Sequence, residues 1–357
     1  MTSRERVVRA LRRQNTDRPP FDFSNGFAPA MLDEMERRTG SRDPAEWFAT
    51  DVRTLGIGPT RLQTDYTPYH HGLPPRAWID EWGVGHVPTE STDPGHSHLD
   101  GFLHPMERLA TLREVQQYPL PDIEADYRLE SLARRAEELH QRGLAVAVSM
   151  ECTLFETAWY LRGMEQLFVD FVERPALAEA LLDRILDKRL IQARKFAEAG
   201  VDVIRTGDDV ATQRGPLMSL PMWRRWIKPR LTRIIAEAKR TRPDLILFYH
   251  SDGDVAALIP DLLEIGVDVL NPVQPECMDP ADLKRRHGSR LSFWGTVGIQ
   301  TTLPFGTPDE VRQVVRQRIE TVGQGGGLLL SPAHMIEPDV PWENLEAFVD
   351  AVKSAGR

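Results

Sequence analysis

From residue 144 onward the chain repeats one unit, a short apolar run followed by a stretch of helical periodicity. The runs are 144–150 (LAVAVSM), 201–206 (VDVIRT), 245–249 (LILFY), 267–270 (VDVL), 291–294 (LSFW) and 328–330 (LLL). Continuous apolar runs of this length read as strands covered on both faces. Between them the pattern predicts helices at 222–240, 254–264 and 280–287, and a last one at 342–354. A longer helical region runs to about residue 199, with Leu177, Leu181, Leu182, Ile185, Leu186 and Leu190 on one face. Thr307-Pro308-Asp309-Glu310 opens another helix with a capping box and proline at its first position. Two earlier segments, 18–23 (RPPFDF) and 51–57 (DVRTLGI), read as short strands and raise the count from six to eight. Eight alternating units predict a (β/α)8 TIM barrel with its chemistry at the C-terminal ends of the strands. An open doubly wound sheet would want a glycine-rich phosphate loop after an early strand. GQGGG at 323–327 instead precedes a strand and reads as a turn.

The first residues predict a helix in which Thr2 and Glu5 form a capping box. They contain no apolar segment of signal-peptide type. Residues 58–122 are irregular, rich in proline and glycine, and hold six of the ten histidines. A plain loop of that length is rare in a compact domain, so an elaborated insertion or lid is expected, with a hairpin at 78–87. The whole chain, 1–357, is otherwise expected to be one barrel domain. Two cysteines exclude a disulfide framework and fit a reducing, cytoplasmic setting. A net charge of −9, with no basic block interleaved with aromatics, argues against nucleic acid and acidic membrane surfaces as partners. No apolar run reaches the roughly 18 residues of a membrane span.

If the barrel closes, the residues after each strand converge on one mouth. These are Asp51; Glu151 and Cys152; Asp208 and Asp209; His250 and Asp252; Asn271, Gln274 and Cys277; Trp294; and Ser331 and His334. Glu151 directly follows an apolar strand and is a candidate catalytic carboxylate, as are Asp208 and Asp51. Asp208 and Asp209 cannot both face the same way from an extended chain. One is expected in the pocket, where crowded carboxylates suit acid/base work, the other as a helix cap or a partner for Arg205. Asp209, Asn271, Gln274 and Trp294 are candidate substrate-binding residues. His250, Cys277 and His334 offer nitrogen and sulfur donors of the kind zinc takes, with Asp252 as a fourth ligand or as a partner fixing the imidazole. Cys152 reads as packing. Glu156 is expected beyond the mouth. The histidines at 70–71 and 96–98 offer donors for a second metal site, but their polar flanks argue against one. Trp159, Trp223 and Trp226 read as core or mouth lining.

Several stretches carry a family resemblance: MTSRERVVRAL, TDVRTLGIGP, DEWGV, TGDDVATQRGPLMS, YHSDGDV, GVDVLNPVQPECMDPADLK, FWGTVGIQTTLPFGTPDEV and GGGLLLSPAHMIEPDVPWEN. Together they resemble uroporphyrinogen decarboxylase-like proteins, in the branch related to the cobamide-dependent methyltransferases. The resemblance implies a (β/α)8 barrel and, since relatives are commonly dimers, a homodimer. The haem-pathway decarboxylase holds its substrate with an arginine-rich loop and a pocket aspartate. Here the loop at 24–29 (SNGFAP) has no arginine, and Asp51 matches the aspartate by position. The methyltransferase branch implies a zinc site of the form His-x-Cys with a later cysteine near the last strand. His250 matches that histidine, Asp252 stands at the first cysteine, His334 lies near the second, and Cys277 would restore a sulfur ligand.

The leading expectation is zinc-assisted methyl transfer between a corrinoid, carried by a partner protein, or a methylated small molecule and a thiol. Glu151 or one of Asp208 and Asp209 would manage protons. A metal-free lyase acting on a small carboxylic acid through Asp51 and His334 is one alternative. A corrinoid- or tetrapyrrole-binding protein without turnover is the other.

Overall fold

A computed structural model describes residues 1–23, 25–88 and 100–356. Seven parallel strands hydrogen-bond in chain order: Val52–Leu55, Ala145–Glu151, Val203–Gly207, Ile246–His250, Val269–Asn271, Ser292–Val297 and Leu328–Pro332. The eighth position is filled by extended chain around Phe21. Asp22 N–H donates to the Leu330 carbonyl (3.1 Å) and Leu330 N–H to the Pro20 carbonyl (2.9 Å) on one side. On the other side Asp51 N–H donates to the Phe21 carbonyl (3.0 Å). These bonds close the sheet into a barrel. Pro19 and Pro20 have no N–H to give, which keeps this segment to a single bridge rather than a full strand. The segment at 18–23 therefore belongs to the barrel wall, as its apolar pattern predicts, but in abbreviated form.

The strand starts fall one or two residues later than the apolar runs suggest at 144, 201, 245, 267 and 291. A shared device sets the register at three of the barrel strands. Asp51, Asp202 and Asp268 each stand just before a strand-opening valine, and each accepts an N–H from the neighbouring strand. The donors are Phe21 (3.0 Å), Val146 (2.9 Å) and Leu247 (2.9 Å). All three carboxylates thus lie at the N-terminal end of the barrel. That end is stoppered by the helix Ser3–Leu11, which has the Thr2/Glu5 capping box. Its Val7 and Leu11 pack into a floor of Val52, Ala147, Val203, Phe248, Trp294 and Leu329.

The helices follow the sequence pattern closely. Pro280–His287 and Trp342–Ser354 have the expected bounds, and Pro308–Thr321 carries the Thr307/Glu310 capping box. The 222–240 helix is two, Leu220–Trp226 and Lys228–Thr241. Gly325, Gly326 and Gly327 all turn with positive φ, so GQGGG is a turn before a strand. Within 58–122, Trp78–Ile79, Gly85–Pro88 and Asp100–Leu103 make a separate antiparallel sheet. His96 and His98 lie outside the described residues. Among the described residues no helix is long and apolar enough to cross a membrane.

Candidate active site at the C-terminal rim of the barrel

One rung crosses four adjacent strands near their C-terminal ends. Glu151 pairs in register with Gly207, Gly207 with His250, and His250 with Asn271. Gly207 has no side chain, and none would fit: a Cβ there would come within 2.5 Å of the His250 carbonyl and 2.7 Å of its nitrogen. The backbone and Cβ of His250 take the space a side chain at Gly207 would need, which sets His250 close against the neighbouring strand.

His250 is held by one nitrogen and presents the other. Its Nδ1 lies 2.6 Å from Asn271 Oδ1, and Asn271 Nδ2 donates to the Trp294 carbonyl at 2.8 Å. The second bond fixes which end of the amide faces the imidazole, so Nδ1–H donates and Nε2 faces the mouth. There Nε2 lies 3.6 Å from Asp209 Oδ1. The Asp252 N–H donates to the same Asp209 oxygen at 2.7 Å, drawing the loop above His250 inward. Donor atoms of Asp209, His250 and Asp252 all lie within 4.8 Å of one another. His334 Nε2 stands 3.7 Å from Asp252 Oδ2 on the far side.

The charges are unevenly balanced. Burial alone would lower the His250 pKa, but Asp252, Asp209 and Glu151, with the bond to Asn271, outweigh it and raise it to about 9. Burial raises Asp209, His250 pulls it back, and Asp252 adds to the rise. Glu156 is pushed well above the carboxylate range by burial and then by Asp209 and Asp208. Its Oε2 accepts the Asp209 N–H at 2.9 Å. Glu151 behaves differently. Burial would raise it, yet Arg205, at 2.8 Å, and His250 leave it lowered, a fixed carboxylate rather than a proton donor.

Several sequence expectations are corrected by this geometry. Asp51 is not at the mouth. It is fully buried at the opposite end of the barrel, bound by Arg6 (2.7 Å), Arg18 (2.8 Å) and Ser3 (2.7 Å). Asp208 turns away from the pocket and accepts the N–H groups of Leu154 (2.9 Å) and Glu156 (3.0 Å) at the start of the helix Phe155–Arg162. Of the adjacent pair, Asp209 is the one that faces the mouth, since the chain leaves its strand at Gly207 and turns Asp208 toward the helix it caps. Trp294 lies within its strand and forms part of the barrel floor, donating from Nε1 to Asp22 at 2.9 Å. Gln274 accepts the Gly253 N–H at 3.2 Å and so braces the loop beyond His250. Asn271 acts on His250.

Cys277 does not join the group of close donor atoms found among the described residues. It sits in a turn, its N–H donating to the Gln274 carbonyl, and packs against the core. Burial and then Glu276 push its thiol up to about 11. Cys152, read from the sequence as packing, lines a cavity beside the mouth, and burial pushes its thiol well above the ordinary range.

Two residues were missed by the sequence reading. Glu156 belongs to the site, brought back by the short turn that Asp208 caps. Arg205 stands on a strand whose other residues are fully buried, its guanidinium 5.0 Å from the Phe248 ring and bonded to Glu151. An arginine inside a buried strand is itself a signal, since it needs a partner there.

A stability prediction follows from the shifts. Asp208 (raised by burial to about 6), Asp209, Glu156 and His250 all bind protons more tightly folded than unfolded. Stability from His250 is fully present below its unfolded pKa and lost as pH rises through about 9; that from Asp208 is lost as pH rises through about 6. Metal-free protein should therefore melt several degrees lower near pH 9.5 than near pH 5, with Glu156→Gln flattening the slope. A melting temperature that rises over this window contradicts the assignment.

The sequence profile of the family described as uroporphyrinogen decarboxylase (URO-D) matches residues 102–355. A methylcobamide:CoM methyltransferase of Methanosarcina barkeri is 29% identical over 180 residues, which is 50% of each chain. The match thus spans about half the length of that relative. A uroporphyrinogen decarboxylase of Xanthomonas euvesicatoria is 24% identical over 271 residues, 72% of this chain and 73% of that one. Among solved structures, a methyltransferase from Methanosarcina mazei superposes with a TM-score of 0.68 at 20% identity, covering 99% of both chains, and shares the fold.

Proposed function

This chain belongs to the uroporphyrinogen decarboxylase family, and on that premise we propose that it is a methyltransferase with a metal centre of one histidine and two carboxylates. It moves a methyl group between a corrinoid, or a methylated small molecule, and a thiol. The observation that carries this is the convergence of Asp209, His250 and Asp252 at the barrel mouth, with His250 Nε2 turned toward both carboxylates.

The donor set suits a divalent cation. Imidazole nitrogen and carboxylate oxygen are both zinc ligands, and three protein ligands leave a position open for substrate. The excess of negative charge around His250 is what such an ion would neutralise. Zinc is the ion expected here, with His334 near enough to Asp252 to orient it. When bound, the metal lowers the pKa of a coordinating thiol and makes thiolate available at neutral pH.

The remaining work falls to the chain itself. Asn271 keeps the proton on His250 Nδ1 and so keeps Nε2 available as a ligand. Beside the ligand Asp209, Glu156, whose carboxyl is pushed well above the ordinary range by burial, holds a proton and accepts the Asp209 N–H. Arg205 keeps Glu151 ionised at the edge of the mouth. The lyase reading asked Asp51 and His334 to meet, and the barrel places them at opposite ends.

Metal analysis tests this. Protein purified without added metal should hold about one equivalent of a divalent ion, falling below about 0.2 in His250→Ala and in Asp252→Ala. Cys277→Ser should leave the content unchanged. Metal lost on Cys277→Ser, or retained in both other variants, would sink this centre.

A further inference from the structure

Beside the mouth, under the three-stranded sheet of the insertion, lies a cavity of about 380 Å³. We propose that it binds a single small aromatic ring, neutral or anionic. As the ring of the methyl donor or acceptor, this rests on the methyl-transfer reading above; as a binding site, it stands on the cavity alone.

The walls are aromatic on three sides. Trp82 and Phe102 come from the insertion and Tyr160 from the helix Phe155–Arg162. Phe102 and Tyr160 meet edge to face with centroids 4.8 Å apart, and Trp159 packs against both, at 5.7 and 3.9 Å, so the wall is one continuous aromatic cluster of the kind a further ring packs against. The volume sets the size. A cavity of about 150 Å³ holds benzene, so this one takes a ring with a few substituent atoms. Four linked pyrrole rings with their acid side chains do not fit.

Charge decides between a neutral ring and a methylated cation, since aromatic walls also attract quaternary ammonium. Two carboxylates line the cavity, and both are already engaged. Asp80 accepts the N–H groups of Trp82 (2.8 Å) and Val84 (2.9 Å) through Oδ1, and its Oδ2 lies 3.0 Å from His86 Nε2. Glu151 is bound by Arg205 at 2.8 Å and by Ser149 at 3.1 Å. The guanidinium of Arg189 lines the same space and sits 5.6 Å from the Trp82 ring centroid. It donates to the Cys152 and Thr153 carbonyls, which fixes it in place. A cation entering here meets a fixed positive charge and, among the described residues, no uncommitted counter-charge.

The cavity borders the rung that carries His250. Glu151 belongs to its lining and to the rung that ends at His250, two strands away, or about 10 Å. Gly207 between them contributes no side chain. Tyr160 lies one helical turn beyond Glu156, on the same face, and Glu156 touches Asp209. A ring held under the sheet therefore directs a short substituent toward Asp209 and His250.

Calorimetric titration of the metal-free full chain tests the proposal with three probes: methoxybenzene, methoxycyclohexane and tetramethylammonium. Methoxybenzene should bind, methoxycyclohexane about tenfold more weakly, and tetramethylammonium not measurably. Val84→Trp, which fills the cavity, should weaken methoxybenzene at least about tenfold while circular dichroism and the melt stay native. Phe102→Ala, which removes one wall instead, should weaken it in the same direction. His250→Ala should leave the binding intact, so a failed metal site and a failed ring site give different results. Tetramethylammonium binding as tightly as methoxybenzene, no methoxybenzene binding at all, or full binding in Val84→Trp would each overturn it.

Discussion

Replacing His250 by alanine should lower methyl transfer from methylcobalamin to a thiol on the order of a thousandfold, with the fold intact. The size of the effect reflects how many interactions converge on one imidazole. Nε2 faces two carboxylates, Nδ1 is held by Asn271, and the backbone is pressed against Gly207. Graded variants separate these roles. Asn271→Leu removes the acceptor for Nδ1–H but leaves every proposed ligand in place, so activity and metal affinity should fall about 10- to 100-fold. Gly207→Ala puts a methyl group where only about 2.6 Å separates it from the His250 side chain. It should move the imidazole and cost more than Asn271→Leu. Following methylcobalamin absorbance with a small thiol as acceptor would rank the three. Activity in His250→Ala within a factor of about three of the parent would refute the centre.

How much of this was legible beforehand depended on whether the signal was local. Fully buried strands announce themselves as apolar runs, and the capped helices as Thr-x-x-Glu, so the alternation and the barrel were readable. The strand that closes the barrel was half-legible, because Pro19 and Pro20 shorten it to one bridge. The site was less readable, since facing depends on register and on turn geometry. Asp208 and Asp209 are neighbours with opposite roles, and only the turn after Gly207 decides which one caps a helix. Glu156 looked too far along the chain, yet that same turn returns it to Asp209. Cys277 has the right chemistry and the right strand, but the turn after Asn271 folds it against the core. One local signal was available and was passed over. Gly-Val-Asp-Val recurs at 200–203 and 266–269, opening a strand each time, and Asp51 precedes a strand-opening valine in the same way, which groups these aspartates as a set at the N-terminal end; Asp-Val at 209, 254 and 339 opens no barrel strand.

That set yields the largest stability effect expected in the molecule, at Asp51. Its carboxylate is wholly buried and takes bonds from Arg6, Arg18, Ser3 and the Phe21 N–H. Those partners come from the stopper helix, the linker behind it and the abbreviated closing strand. Asp51→Ala would leave two half-buried guanidinium groups and a backbone N–H facing each other without their acceptor. Removing one partner of a buried ionic network costs about 3–5 kcal/mol. At a typical unfolding entropy per residue, a chain of 357 residues loses roughly 5 °C of melting temperature for that change. Asp51→Asn keeps an acceptor for Phe21 N–H but loses the charge that holds both arginines, and should fall between. Urea denaturation and thermal melts would measure the loss. The rate per folded molecule, assayed well below the melt, should stay near the parent's, because the barrel's full depth separates Asp51 from His250. A native melt combined with lost turnover would instead return Asp51 to the chemistry.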